Sequence, residues 1–277
     1  MLQRKQNQIV KGLHQRDILV DFVYDDSAIH QPIVIFAHGF KGFKDWGPYN
    51  LVADYFAQQG FFFCKFNFSH NGTTVEQPTD FADLEAFGNN NFTIELDDLG
   101  VVIDEVVKQN AFVDASKIYL IGHSRGGGIV MLKAAEDKRV QKIATWASVN
   151  EFGKFWPEEA MKALKEKGVI YVPNARTNQQ MPIYWQMYEN YNANQARLHI
   201  PSNFKSITIP ALIVHGTMDE TVPFRAAEEL VSWNINATLF PVEKANHNFG
   251  GKHPWEREDL PEDLKKVLDE TIRFFKA

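Results

Sequence analysis

Five residues constrain this chain more than any others: Gly122-His123-Ser124-Arg125-Gly126, set between an apolar, β-branched run (Ile118, Tyr119, Leu120, Ile121) and a helix-like stretch at 129–136. G-x-S-x-G between a strand and a helix describes a sharp, strained turn that lifts a serine side chain clear of the sheet edge. The turn tolerates no Cβ at its flanks, where backbone segments pass closest, which is the reason for Gly122 and Gly126. Ser124 is therefore the candidate nucleophile.

A serine hydroxyl is a weak nucleophile at neutral pH and needs a histidine base oriented by a carboxylate, in the chain order serine, acid, histidine for this kind of turn. Both partners follow in that order. The apolar run 211–214 ends in His215-Gly216-Thr217-Met218-Asp219-Glu220, placing Asp219 in the loop just past a buried parallel strand, where ligands and catalytic groups collect. Glu220 is its neighbour and competes for the role; Asp219 is preferred because it comes first after the strand. The next strand-like run, 237–242, leads into a loop carrying His247. Of nine histidines only His199, His215, His247 and His253 lie beyond the serine. His199 falls in a polar insertion and His215 precedes the acid, which leaves His247 as the base and His253 as the alternative.

Acyl transfer also needs N–H donors aimed at the oxyanion of the tetrahedral intermediate. One is the backbone amide after the nucleophile, that of Arg125. The second belongs in the loop after the strand at 32–37, which reads His38-Gly39-Phe40-Lys41-Gly42, and is assigned to the Phe40 amide.

On four segments the chain resembles the α/β-hydrolases, and within them the bacterial cinnamoyl/feruloyl esterase-type serine esterases: His38-Gly39-Phe40, Gly122-His123-Ser124-Arg125-Gly126-Gly127, His215-Gly216-Thr217-Met218-Asp219 with Val222-Pro223, and Ala245-Asn246-His247-Asn248-Phe249. The resemblance implies a Ser124, His247, Asp219 triad, a hole built from the Phe40 and Arg125 amides, and a single-glycine oxyanion loop. The expected activity is hydrolysis of a small or aromatic carboxylic ester through an acyl-enzyme. A serine peptidase acting on short peptides stays open, since Glu158, Glu159 and Glu189 could meet a peptide amine, as does a non-catalytic protein holding an apolar ligand.

The remaining composition narrows the partners to a small-molecule ester. A net charge of −6 without a long basic run argues against nucleic acid, and no P-loop, paired C-x-x-C or H-E-x-x-H helix suggests a metal or cofactor, so none is expected. Residues 1–8 carry no apolar signal core and no run approaches 18 apolar residues, so no membrane association is expected and a cytoplasmic location is. The single cysteine, Cys64, lies in an apolar run and reads as packing. No oligomeric state is specified by any sequence feature.

Apolar runs alternate with helical patterns, the layout of a doubly wound, mostly parallel α/β sheet, and 277 residues suit one domain spanning 1–277 that buries about 75% of its unfolded surface. Expected strands are 17–25 (antiparallel), 32–37, 61–68, the run before Ser124, 143–149, 211–214 and 237–242. Expected helices are 48–58, 93–108, the one after Ser124, and 263–275, with a polar loop at 69–91. About sixty residues separate the strands ending at Val149 and starting at Ala211, far more than the 2 to 6 of an ordinary crossover loop. Residues 150–206 are read as a cap inserted over the catalytic edge, with a crossover helix at 178–192 or 182–198 as the competing account of part of it. Its aromatics, Trp156, Trp185 and Tyr188 in particular, are expected to line an apolar substrate pocket.

Overall fold

The computed structural model describes residues 1–153 and 158–277. Its elements run β1 (Leu2–Lys11), β2 (Asp17–Asp25), β3 (Gln31–Ala37), α1 (Tyr49–Gln58), β4 (Phe62–Asn67), α2 (Leu84–Gly88), α3 (Phe92–Val107), β5 (Val113–His123), α4 (Arg125–Glu136) and β6 (Val140–Trp146). They continue with α5 (Glu158–Lys167), β7 (Val169–Asn174), β8 (Gln179–Tyr184), α6 (Gln186–Ala193), α7 (Gln195–Leu198), α8 (Ile200–Ser206), β9 (Ala211–Gly216), α9 (Arg225–Trp233), β10 (Ala237–Val242) and α10 (Glu262–Lys276). Eight strands form one sheet in the order β1-β2-β4-β3-β5-β6-β9-β10. β2 pairs antiparallel with β1 and β4, and every other neighbouring pair is parallel.

Parallel strands covered on both faces are apolar at nearly every position, and their side chains alternate between the two faces. Both properties hold. Ile33, Ile35, Ile118, Leu120, Ala211 and Ile213 pack into one core with α3, α4, α8 and α9. Val34, Phe36, Tyr119, Ile121, Leu212 and Val214 pack into the other with α1 and α10. The closing helix α10 docks through Leu264, Val267, Leu268, Ile272 and Phe275, and its buried Thr271 Oγ1 accepts the Trp146 indole N–H at 3.1 Å, satisfying the one polar atom of the largest core side chain. Chain direction along the sheet reverses around β3 and β5, so the carboxyl ends of β3, β5, β9 and β10 open onto a common edge, the expected place for a ligand crevice.

Four sequence expectations need correction. β1 was not anticipated, because Gln3-Arg4-Lys5-Gln6-Asn7-Gln8 shows no apolar alternation; it forms as an exposed edge strand held by its ladder to β2, and its charged side chains suit an edge that must not pair further. β6 ends at Trp146 rather than 149, since Ala147 turns the chain at φ +50° and sends Val149 toward the site. The polar loop expected at 69–91 holds only as far as Asp83: α2 follows it, and Ser69, His70, Asn71, Thr73, Asn90 and Asn91 of the segment are buried. Finally, the crossover helix expected at 178–192 or 182–198 is a strand in its first part. β7 and β8 form a separate antiparallel hairpin in which Pro182 sits opposite Tyr171, and helix resumes only at Gln186. In a helix interior Pro182 would remove a hydrogen bond and clash with the preceding turn; a two-stranded hairpin accommodates it. Leu198, Ile200 and Phe204 of the same segment are buried in the main core beside α4, so the end of 150–206 packs as part of the sheet's own helical layer. Among the described residues no helix is long and apolar enough to cross a membrane.

Candidate active site

Ser124 sits between β5 and α4 with φ +54° and ψ −120°, a conformation that an L-residue holds only when its surroundings enforce it. They do so by close approach. A Cβ on Gly122 would lie 2.2 Å from the Gly126 carbonyl oxygen, and one on Gly126 would lie 2.3 Å from that of Ala37. The Ser124 amide donates to the Trp146 carbonyl at 2.8 Å and its carbonyl accepts the Gly127 N–H at 3.0 Å. Serine favours the N-cap because its hydroxyl can bond the first free helix amides, yet Ser124 occupies the N-cap of α4 without any such bond. Its hydroxyl is left for other use, at the positive end of a twelve-residue helix.

The β9 and β10 loops supply the other two groups. Asp219 Oδ2 lies 2.7 Å from His247 Nδ1 and 3.2 Å from His215 Nε2, while Oδ1 accepts the Thr221 and Val222 amides, each at 2.8 Å. Burial opposes the Asp219 charge, but the His215 and His247 hydrogen bonds, the charge of His247 and the Val222 amide outweigh it and hold the carboxyl well below the usual carboxylate range. Glu220, the competitor, is exposed. His253, the alternative base, instead accepts the Gly47 N–H at 2.9 Å and packs against Phe43 and Trp46.

Two histidines flanking these groups play parts that sequence did not disclose. His123 Nε2 is 3.0 Å from the His247 carbonyl oxygen, and with only the ring able to donate it must carry the proton there; the residue before Ser124 thus tethers the His247 loop. Burial, with the His247 charge second, pushes His123 down to about 3, so it remains neutral. His38 Nε2 accepts the Phe68 amide at 3.3 Å, which leaves Nδ1–H to donate to the Gly39 carbonyl at 2.9 Å. Burial lowers His38 to about 4, preserving that tautomer at neutral pH. Its bond shapes the Gly39–Gly42 turn, which a second hydrogen bond, Gly42 N–H to Gly39 O at 3.1 Å, closes. Only the position of His38 before Gly39 hinted at this.

The Gly39 turn lies directly on the serine: a Cβ there would be 2.9 Å from Ser124 Cβ. Phe40 follows, and Arg125 is the first residue of α4, whose amide has no intrahelical acceptor by position. Beneath this loop lies an ion network in which Asp21, Lys44 and Lys65 are buried and Asp45 is partly exposed. Lys44 Nζ bonds Asp21 at 2.8 Å and Asp45 at 2.6 Å, and Lys65 Nζ bonds Asp21 at 2.6 Å and also Asp45. The Lys44 amide donates to Asn67 Oδ1 at 2.7 Å, and Asn71 Nδ2 reaches the Gly42 carbonyl at 3.3 Å. The loop is pinned from below by β2 and β4.

A cavity of about 330 Å³ opens beside Ser124. Phe40, Phe92, Val149, Phe152 and Val222 line it from the sheet side, and Met161, Leu164, Ile170, Val172, Ile183 and Met187 from the inserted segment. The expectation that Trp185 and Tyr188 line the pocket is not met. Their rings pack on each other, tilted by 35° with centres 4.7 Å apart, and the Trp185 amide closes onto the Gly168 carbonyl; α6 turns Met187 inward instead, so the wall is largely aliphatic. Trp156 lies outside the described residues. The Arg125 side chain is paired with Glu95 and largely withdrawn from solvent. Among the described residues no group of three or more His, Cys, Asp or Glu is placed to hold a metal ion.

A mostly parallel sheet of eight strands, a serine in a strained turn after β5, and an acid and a histidine after β9 and β10 define an α/β-hydrolase. The chain belongs to the prolyl oligopeptidase family, whose model matches residues 49–262. No curated protein matches the sequence. Among solved structures, Est1E from Butyrivibrio proteoclasticus with ferulic acid bound is similar with a TM-score of 0.73 at 17% identity, over 97% of this chain and 98% of that one. DcsB in complex with its substrate analogue gives 0.74 at 17% identity, over 100% and 99%. The acylaminoacyl peptidase of Pyrococcus horikoshii gives 0.68 at 14% identity, covering 99% of this chain but 41% of that larger one.

Proposed function

We propose that the chain is a serine carboxylic-ester hydrolase in which Ser124, His247 and Asp219 form the triad. The observation that carries this reading is the 2.7 Å contact between His247 Nδ1 and an anionic, doubly amide-bonded Asp219, on the loops that follow β9 and β10 beside the β5 turn. With Nδ1 committed to Asp219, Nε2 is the nitrogen left to take the Ser124 proton. The serine oxygen attacks the ester carbonyl, His247 returns the proton to the leaving alcohol, and water activated by the same imidazole releases the acid. The Phe40 and Arg125 amides receive the oxyanion. Segment 150–206 acts as a cap, through α5, the β7–β8 hairpin and Met187, over an acyl pocket sized for a small aromatic or medium-chain group.

The family match and the likeness to acylaminoacyl peptidase keep a peptidase as the second reading. Among the described residues the cavity lining holds no carboxylate to receive a peptide amine, which favours a neutral ester. A fluorophosphonate probe should label the wild-type protein and not Ser124→Ala, and a panel of acyl esters should be hydrolysed faster than the matching aminoacyl amides. Absence of labelling would remove the serine mechanism and leave an apolar-ligand binder; faster amide cleavage would make the protein a peptidase.

A further inference from the structure

Arg125 does more at the site than offer its amide. Its guanidinium Nη2 lies 2.5 Å from Glu95 Oε1 on α3, and both side chains are largely withdrawn from solvent, at 12% and 1% exposure. Glu95 Oε1 also accepts the Asn90 Nδ2–H at 2.7 Å, a second hold on the same carboxylate oxygen. The guanidinium carbon sits 4.7 Å from the centre of the Phe40 ring and 5.9 Å from that of Phe92, and the Phe40 ring also packs on Phe87 at 5.5 Å. A buried ion pair is an expensive way to fill this space, since an apolar pair of similar volume would stabilise the fold as well or better. What an apolar pair would lack is a rigid planar cation facing an aromatic ring.

We infer that the Glu95–Arg125 pair is a positioning device for the oxyanion hole, holding Phe40 by its ring so that the Phe40 amide keeps its distance from the Arg125 amide. This rests on the oxyanion role proposed above. One residue then sets the spacing of both donors: its backbone carries the first and its side chain clamps the residue carrying the second. Phe40 otherwise hangs on a turn built from Gly39 and Gly42, which the His38, Asn71 and Lys41 hydrogen bonds hold nearby and which Phe87 packs against.

The test uses an acetate ester, which does not extend into the acyl pocket, so that loss of pocket contacts is not read as loss of positioning. The double variant Arg125→Met with Glu95→Gln removes the pair without stranding a buried charge. It should lower kcat roughly 10- to 100-fold with KM within about twofold, and weaken a simple alkyl boronic acid by the same factor as kcat. Phe40→Leu, which retains the amide and removes the ring, should give a comparable loss. Combining Phe40→Leu with the double variant should then add little, because all three changes break one clamp. Unchanged acetate turnover, a loss confined to longer acyl esters, or fully additive losses would each overturn the clamp. Fluorophosphonate labelling of the wild-type protein separates these outcomes from failure of the serine mechanism itself, since a labelled enzyme with an indifferent Arg125 side chain refutes only the inference.

Discussion

Asp219 and its neighbour Glu220 are chemically alike and adjacent, yet only one is bonded to His247. Asp219→Asn should cost about 10⁴ in kcat, the order seen when a triad aspartate becomes an amide and the imidazole loses its orienting charge, whereas Glu220→Gln should stay within about twofold. Steady-state kinetics on one ester decide the ranking, and a reversal would move the acid to Glu220. A second carboxylate, Asp98, has the opposite electrostatics. It is fully buried on α3, accepts the Ser69 N–H on Oδ2 at 2.8 Å, and has no hydrogen-bond partner for Oδ1 among the described residues. Burial pushes it up to about 7. The folded chain therefore keeps a proton that the unfolded chain sheds near pH 4. Stability falls as pH rises from about 4 to about 7 and is level above that. Asp98→Asn abolishes this slope, so its Tm relative to wild type should rise by at least about 3 °C between pH 5 and pH 8 by calorimetry. At this scale the sequence was legible where chain order limits the choice, as for Asp219 and His247, which lie 2.7 Å apart on the loops after β9 and β10. It was silent on His38, His123 and Asp98, whose roles depend on partners brought near only by folding.

The β5–α4 turn shows how an element can depend on missing atoms. Gly122→Ala would force a methyl group onto backbone at 2.2 Å and should yield protein that is unfolded or devoid of activity. Gly60→Ala, at φ +89° with nothing within 4 Å, should cost only about 1–2 kcal/mol of left-handed backbone strain. Urea titration of both variants provides the comparison, and equal costs would mean that crowding at the turn is overstated. The inserted segment depends on shape instead. Ile170 on β7 faces the cavity, so Ile170→Trp should lower kcat/KM for octanoate esters at least about tenfold while sparing acetate, a selectivity worth about 1.4 kcal/mol. Equal losses on both esters would show that the hairpin does not border the acyl group. The main-sheet elements could be read from periodicity because their faces alternate strictly. The hairpin could not, because it forms outside the main sheet and its short strands alternate only weakly, so aromatic density pointed to Trp185 and Tyr188 where the packing uses Met161, Leu164, Ile183 and Met187.

Across the whole molecule, the largely buried network of Asp21, Lys44, Asp45 and Lys65 joins β2, β4 and the Phe40 loop. No local pattern announces it: Lys65 lies in an otherwise apolar strand, 44 positions from Asp21. Lys65→Met leaves two carboxylates with one lysine and should cost about 3–5 kcal/mol in urea, much of it recovered when Asp45→Asn is added. A cost below about 1 kcal/mol would mean the network is not truly dry. The strand order has a different consequence, one of timing. Ser124, Asp219 and His247 come from loops after β5, β9 and β10, and β10 takes the outermost place in the sheet. On a ribosome, Ser124 is made more than a hundred residues before His247. Under the proposed triad the growing chain carries a chemically idle hydroxyl until β10 and the loop after it have been made, and acquires a reactive centre only as that edge strand docks, sparing the cell a half-built hydrolase.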